Sequence, residues 1–289
     1  MRRFVGFSEK VKYLGLIGIL GVLFRNKILE CFWLFWLFGF IGIFYNYPVF
    51  LQSLKQLWGI IIIPHRYGSS IPSVDNYRCK VKYSLPFRDE WTVVNGGVEK
   101  NSSHSWEIPT QRYAYDFLIL DNNGKSTPGG SKEPADYYCY GKEVLAPADG
   151  VVIEAISDYP DSLILKSRQV DCSAHDIRGN YILIQHVQGE YSLLAHLKPA
   201  SVLVKMGDKV KRGECIAHCG NSGNSSEPHL HFQLQDGVNF FTSAGLPVEF
   251  ERITVRPDLN YSTFDSRRIP SDYSERYLTR GRRVENLSE

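Results

Sequence analysis

The chain has 289 residues, of which 43% are hydrophobic and 22% charged, and its 33 lysines and arginines nearly balance 31 aspartates and glutamates, leaving a net charge of +2. So small a charge supplies no basic field of the kind that holds a phosphate backbone, and no nucleic-acid motif is present, so nucleic acid is excluded as an expected partner. The length suffices for one large domain or two modest ones.

Apolar and aromatic residues are concentrated in residues 1–66. Val11–Phe24 is apolar and Gly-rich, Arg25-Asn26-Lys27 interrupts it, and Ile28–Tyr45 follows with Glu30 as its only charge. As a helix rising about 1.5 Å per residue, the second run reaches about 27 Å, close to the hydrocarbon thickness of a bilayer, and Trp33, Trp36, Tyr45 and Tyr47 suit its interfaces. It is read as a membrane-spanning helix, because its aromatic content leaves almost no polar face for a soluble helix. The shorter first run fits a signal-like segment, an interfacial helix or the first arm of a tight helical hairpin, and the lack of a small-residue cleavage pattern argues against a removable signal. Arg2, Arg3, Lys10, Lys12, Arg25 and Lys27 precede the main span while few positive charges closely follow it. The positive-inside rule then sends the bulk of the chain outside the cell. Gln52–Pro64 reads as an amphipathic connector.

From about Ser73 the pattern changes to short alternating segments punctuated by Gly, Pro, Asn and Asp. Lys80–Leu85, Trp91–Asn95, Arg112–Leu120, Val151–Ile156, Ser162–Lys166, Tyr181–His186, Glu190–His196, Glu214–Cys219 and His229–Leu234 read as strands, which makes the fold mainly β, an antiparallel sheet. Asp121–Asp136 is rich in Gly and Pro and reads as a surface loop bordering a cleft. Segments around Val144–Val152 and Val204–Ile216 suit a small barrel-like sheet with tight turns. Three regions are expected: a membrane anchor over 1–66, a β domain over 73–250 and a C-terminal extension over 251–289. The extension carries Arg252, Arg256, Arg267, Arg268, Arg276, Arg280, Arg282 and Arg283, which form added strands or a surface arm with a solvated basic face. Cys79, Cys139, Cys172, Cys215 and Cys219 are an odd set without CxxC spacing, so a cysteine zinc site is not expected.

Chemistry-bearing residues lie in four places. His229-Leu230-His231 puts two imidazoles at i and i+2 of a strand, where both project from one face. Asp116 sits between Ala114 and Leu118 on an inward strand face, where a carboxylate needs a cation or another charged partner. His196 closes the apolar strand Tyr191–Leu197, and Gly220–Pro228 is a turn-rich run leading into His229.

Taken together, GNYILIQH, YSLLAHLKPASVLVKMGDKVKRGE and GNSGNSSEPHLHFQL, with the strand carrying Asp116, resemble the lysostaphin-like zinc endopeptidases, whose domain is often called LytM. The resemblance runs from about Tyr113 to Leu234. It implies an antiparallel β-fold with zinc (Zn2+) at the floor of a groove, peptidoglycan peptides as substrate, and hydrolysis by a zinc-activated water. It also implies that Asp116 and His231 are metal ligands and that His196 and His229 are catalytic. One position departs from the family: Arg112 stands where the first histidine ligand is expected, and a guanidinium cannot bind zinc. His104, in the preceding segment, is the proposed replacement ligand. His186 reads as a neighbour of the site, and His65, His175 and His218 as structural or exposed.

The leading expectation is a membrane-anchored zinc endopeptidase whose domain faces the exterior. An alternative, favoured by Arg112, is a catalytically silent LytM-like module that binds cell wall or regulates another hydrolase. A biotinyl or lipoyl carrier is disfavoured because Lys205-Met206-Gly207 lacks the usual flanks of a modifiable lysine.

Overall fold

The computed structural model describes residues 2–129, 133–165, 169–170, 172, 174–269 and 276–287, and the chain divides into two compact units, Met1–Ser53 and Leu54–Glu289.

In the first unit the chain folds back on itself as a helical hairpin. One arm comprises α1 (Arg2–Val11), a 3-10 segment (Lys12–Leu16) and α2 (Ile17–Leu23); the other comprises α3 (Lys27–Glu30), a 3-10 segment (Cys31–Leu37) and α4 (Phe38–Tyr45). The reversal uses Arg25 at a φ of 53°, and Asn26 caps the second arm by accepting from the N–H groups of Ile28 and Leu29 at 3.0 and 3.3 Å. Glycines let the arms approach closely. A Cβ on Gly15 would lie 2.6 Å from the Trp36 indole, one on Gly18 would lie 2.9 Å from Trp33, and one on Gly21 would collide with the Glu30 backbone. Val11–Phe24 falls in the first arm of this hairpin. Among the described residues, Lys27–Tyr45 is the one helical stretch long and apolar enough, by length and composition, to cross a membrane.

The expected connector is a helix, α5 (Tyr47–Tyr67), whose residues from Leu54 onward belong to the second unit. It rests against the segment 236–241. Tyr67 donates to the Asp236 carboxylate, the Lys55 ammonium lies 5.8 Å from the Phe241 ring centroid, and Gly59 leaves no room for a Cβ beside the Phe241 carbonyl.

The rest of this unit is built on strands β1 (Trp91–Asn95), β2 (Tyr115–Leu118), β3 (Glu143–Leu145), β4 (Gly150–Ile156), β5 (Asn180–Val187), β6 (Glu190–Leu197), β7 (Lys209–Val210), β8 (Cys215–His218), β9 (Leu230–Gln235), β10 (Gly245–Leu246), β11 (Ile253–Pro257) and β12 (Arg282–Asn286). The main sheet runs β11-β12-β1-β2-β9-β6-β5-β4-β7 with β10 added beside β9, and β3 pairs with β8 separately. The pairings between these strands are antiparallel. Period-2 alternation gives the sheet two different faces. Leu230, Phe232 and Leu234 of β9, with Tyr115 and Phe117 of β2 and Leu194 of β6, enter the principal core around Trp91, Phe87 and Phe250. The opposite face buries Tyr181, Leu183, Leu193 and Ala195 under Phe240 and Phe241, and it also carries Asp116, His231, Gln233 and Gln235.

Several local expectations are corrected. Lys80–Leu85 is no strand: Tyr83 makes one isolated bridge, to Phe250, and the segment is held by side chains, Tyr83 and the Lys80 N–H both bonding to the buried Glu190 carboxylate. Residues 162–165 form no strand, and Lys166 lies outside the described residues. Strand β2 begins at Tyr115, not Arg112, and β9 begins at Leu230, so His229 sits just before the strand. The loop 121–136 contains a 3-10 turn, Pro134–Asp136, and residues 130–132 lie outside the described ones. Beyond 250 the chain adds β11 and β12 to the edge of the sheet, and its arginines form ion pairs: Arg283 with Asp258 and Glu90, Arg256 with Glu90, Arg276 with Glu249 and Arg267 with Asp265.

Candidate active site

Strand register brings the site together. Asp116 of β2 stands directly across from His231 of β9, which in turn faces Ala195 of β6, and Asn95 of β1 pairs with Asp116 from the other side. Alternation makes the outward residue of each strand the one that reaches the shared point.

His231 Nδ1 donates to Asp116 Oδ1 at 3.0 Å, His104 Nδ1 lies 3.5 Å from Asp116 Oδ2, and His229 Nε2 lies 3.7 Å from Asp116 Oδ1. Asn95 Nδ2 donates to Asp116 Oδ2 at 3.2 Å, and its own Oδ1 accepts from Arg267 at 2.6 Å. Burial alone would raise the Asp116 carboxyl, but His104, the hydrogen bond from His231 and the nearby His229 hold it well below the ordinary carboxylate range. The opposite balance acts on His231: burial disfavours its cationic form, yet the bond and charge of Asp116 raise its pKa above the usual imidazole value.

His196 and His229 are oriented alike. His196 Nδ1 donates to the Ser222 carbonyl at 2.8 Å, and His229 Nδ1 donates to the Glu227 carbonyl at 2.8 Å. Each ring therefore turns its Nε2 toward the cleft. Their centroids are 4.7 Å apart, and His196 lies 5.7 Å from His231. His196 has a φ of 61°, a left-handed conformation that costs a non-glycine residue about 1–3 kcal/mol. It is pinned by backbone bonds on both sides, from its N–H to Arg178 and from the Gly220 N–H to its carbonyl. Burial, reinforced by His229 and His231, pushes the His196 pKa well below the usual value, so this ring is neutral near pH 7.

A cleft of about 310 Å3 is lined by all five residues expected at the site, His104, Asp116, His196, His229 and His231, with Gln56, Gln111 and Phe240 among its other walls. A second cavity of about 340 Å3 shares Asn95, Asp116, Ser226 and His229 with it and extends toward Phe264 and Arg267. Arg112 turns elsewhere, its Nε donating to the Trp106 carbonyl at 3.1 Å and its guanidinium 5.2 Å from the Trp106 ring centroid. His186 is also outside the cleft, bonded to the Asp149 carbonyl and Ser192 Oγ. Asn95, which braces the carboxylate, was missed from sequence; the buried Glu227 side chain accepts from Ser126 at 2.6 Å and ties the 121–129 loop to the turn before His229.

Among the described residues no group of three or more His, Cys, Asp or Glu already stands at the spacing of a formed metal site. Asp116 and His231 are instead closed by their direct hydrogen bond. The donor types nevertheless suit zinc: two imidazoles flank one carboxylate, His231 Nδ1 3.0 Å from Asp116 Oδ1 and His104 Nδ1 3.5 Å from Oδ2.

Residues 135–243 match the model of Peptidase family M23, a span that includes His196, His229 and His231 but stops short of Asp116 and His104. The glycyl-glycine endopeptidase ALE-1 of Staphylococcus capitis is 30% identical over 168 residues, covering 53% of this chain and 40% of that protein. The peptidoglycan DD-endopeptidase ShyA of Vibrio cholerae serotype O1 is 43% identical over 60 residues, 21% of this chain and 14% of its own. The chain thus spans less than half the length of these relatives. The solved catalytic domain of the antimicrobial peptidase lysostaphin from Staphylococcus simulans superposes with a TM-score of 0.30 at 22% identity, covering 59% of this chain and 90% of that one. Residues 135–243 are thus similar to Peptidase family M23, and the similar proteins include the glycyl-glycine endopeptidase ALE-1 and lysostaphin.

Proposed function

We propose that this protein is a membrane-anchored zinc metalloendopeptidase that hydrolyses peptide bonds in bacterial cell-wall peptidoglycan. The observation that carries the reading is the pair His196 and His229, each locked through Nδ1 to a backbone carbonyl and turned through Nε2 onto the Asp116–His231–His104 cluster. On this reading residues 1–66 are the anchor, 73–250 the peptidase domain and 251–289 an extension that adds strands to it. The relatives that are peptidoglycan and glycyl-glycine endopeptidases support the substrate class, and the charge distribution around Ile28–Tyr45 supports a domain facing the exterior.

His104, Asp116 and His231 would hold the metal, which requires His231 to release its Nδ1 proton. Zinc bound there would supply Lewis acidity toward the scissile carbonyl and make a water more acidic. The neutral Nε2 of His196 accepts a proton from the attacking water and returns it to the departing amine. Because Nδ1 already gives its hydrogen to the Glu227 carbonyl, His229 donates from Nε2 to the developing oxyanion only in its doubly protonated form. The two adjoining cavities leave room for peptide on both sides of the scissile bond, as cleavage within a chain requires.

A second reading, a silent wall-binding module, is favoured by Arg112 at the expected ligand position. Digestion of purified cell wall by the full chain separates the two. Release of new amino groups that stops with chelator and returns with zinc supports the peptidase, whereas wall binding without cleavage on any wall type supports the silent module.

A further inference from the structure

His231, Gln233 and Gln235 project from the same face of β9, and the two glutamines are completely shielded from solvent. Gln235 Nε2 donates to the Gly237 carbonyl at 2.7 Å, with a longer contact of 3.5 Å to the Val238 carbonyl. A backbone carbonyl can only accept, so the Gln235 amide must present its NH2 at this end. Its Oε1 then faces Gln233 and accepts from Gln233 Nε2 at 2.7 Å. That in turn directs Gln233 Oε1 at His231 Nε2, 3.1 Å away. An oxygen acceptor at that position requires a proton on Nε2. Reversing any member would set donor against donor or acceptor against acceptor where no water can intervene.

We propose that Gln233 and Gln235 are positioning residues: their amide relay, anchored on a backbone carbonyl, keeps a proton on His231 Nε2, so that Nδ1, which gives its own hydrogen to Asp116 in the metal-free protein, is the nitrogen presented to a metal there. This rests on the reading of His231 as a zinc ligand. Neither glutamine touches substrate, and Gln235 does not touch His231. A carbonyl at the far end of the strand thereby selects which nitrogen serves the site.

The test uses the full chain in detergent, labelled with 15N-histidine. Protonation of His231 Nε2 is read by NMR in the metal-free protein, and zinc affinity is read by competition with a chromophoric chelator. The wild type is expected to show a protonated Nε2. In Gln235→Met the Gln233 amide is free to flip and donate to Nε2, so the Nε2–H signal weakens while Nδ1 keeps its hydrogen on Asp116, and zinc affinity falls about 10-fold to 100-fold. Adding Gln233→Glu to Gln235→Met supplies a group that accepts from Nε2 without an orienting partner, and both readouts should recover. An unprotonated Nε2 in the wild type overturns the proposal, as does Gln235→Met with an unchanged signal and affinity within about twofold, or a double variant that recovers neither readout. A wild type that shows the relay's Nε2–H but binds no zinc leaves the relay standing and removes the metal reading instead.

Discussion

Replacing His196 with asparagine should flatten the acid side of the stability curve of the metal-free protein. The ring is buried, and its burial, with His229 and His231 beside it, keeps the native imidazole neutral well below its ordinary value of 6.5. The unfolded chain has no such restraint and takes up a proton near that value. Below pH 6.5 the unfolded state therefore binds a proton that the native state refuses, so stability falls with falling pH; above it the contribution is complete. For a native ring that stays neutral, the loss is about 1.4 kcal/mol at pH 5.5 and about 2.7 kcal/mol at pH 4.5. Asparagine tolerates the left-handed φ of this position and keeps a donor for the Ser222 carbonyl, but it does not titrate. His104 and His186 also have lowered values, each first through burial, and they contribute equally to both proteins. Denaturant unfolding with chelator present should show the wild type losing about 1.4 kcal/mol more than His196→Asn between about pH 7.5 and about pH 5.5. Parallel losses would refute the argument.

Two further outcomes follow from the same geometry. His229→Ala should lower wall-peptide hydrolysis about 100-fold to 10,000-fold while leaving zinc content intact; activity within about tenfold of wild type would remove His229 from the chemistry. Gly59→Ala ought to lower the melting temperature even though alanine is favoured in helices by about 1 kcal/mol, because its Cβ would collide with the Phe241 carbonyl; an unchanged or raised melting temperature would contradict that contact.

The strand period made much of the site readable before any coordinates. Alternation put Asp116 on an inward face of its own strand and His229 and His231 together on one face of theirs, the resemblance to lysostaphin-like peptidases joined them, and the structure sets Asp116 and His231 opposite each other in register. The same alternation pointed to Gln233 and Gln235 as facing with His231, a signal that could have been followed. What escaped was long-range. Asn95 reaches Asp116 only through the pairing of β1 with β2, and nothing local to Trp91–Asn95 announces it. His104 was singled out only because Arg112 stands at the expected ligand position, since no periodicity encodes the path of its turn-rich segment, and the structure brings it to within 3.5 Å of Asp116. Lys80–Leu85 misled because its alternation serves a segment held by the Glu190 carboxylate rather than by a neighbouring strand. The arginines after 250 read as a solvated face, whereas partners distant in sequence, such as Asp258 and Glu90 for Arg283, make them part of the sheet edge.

The most direct test of the proposed centre is the zinc content of the purified full chain and of His104→Ala. The account predicts stoichiometric zinc in the wild type and its loss in the variant, since Arg112 is turned onto Trp106 and offers no substitute. A variant that keeps its full zinc would exclude His104 from the centre, and a wild type that binds none would contradict the metalloendopeptidase reading itself.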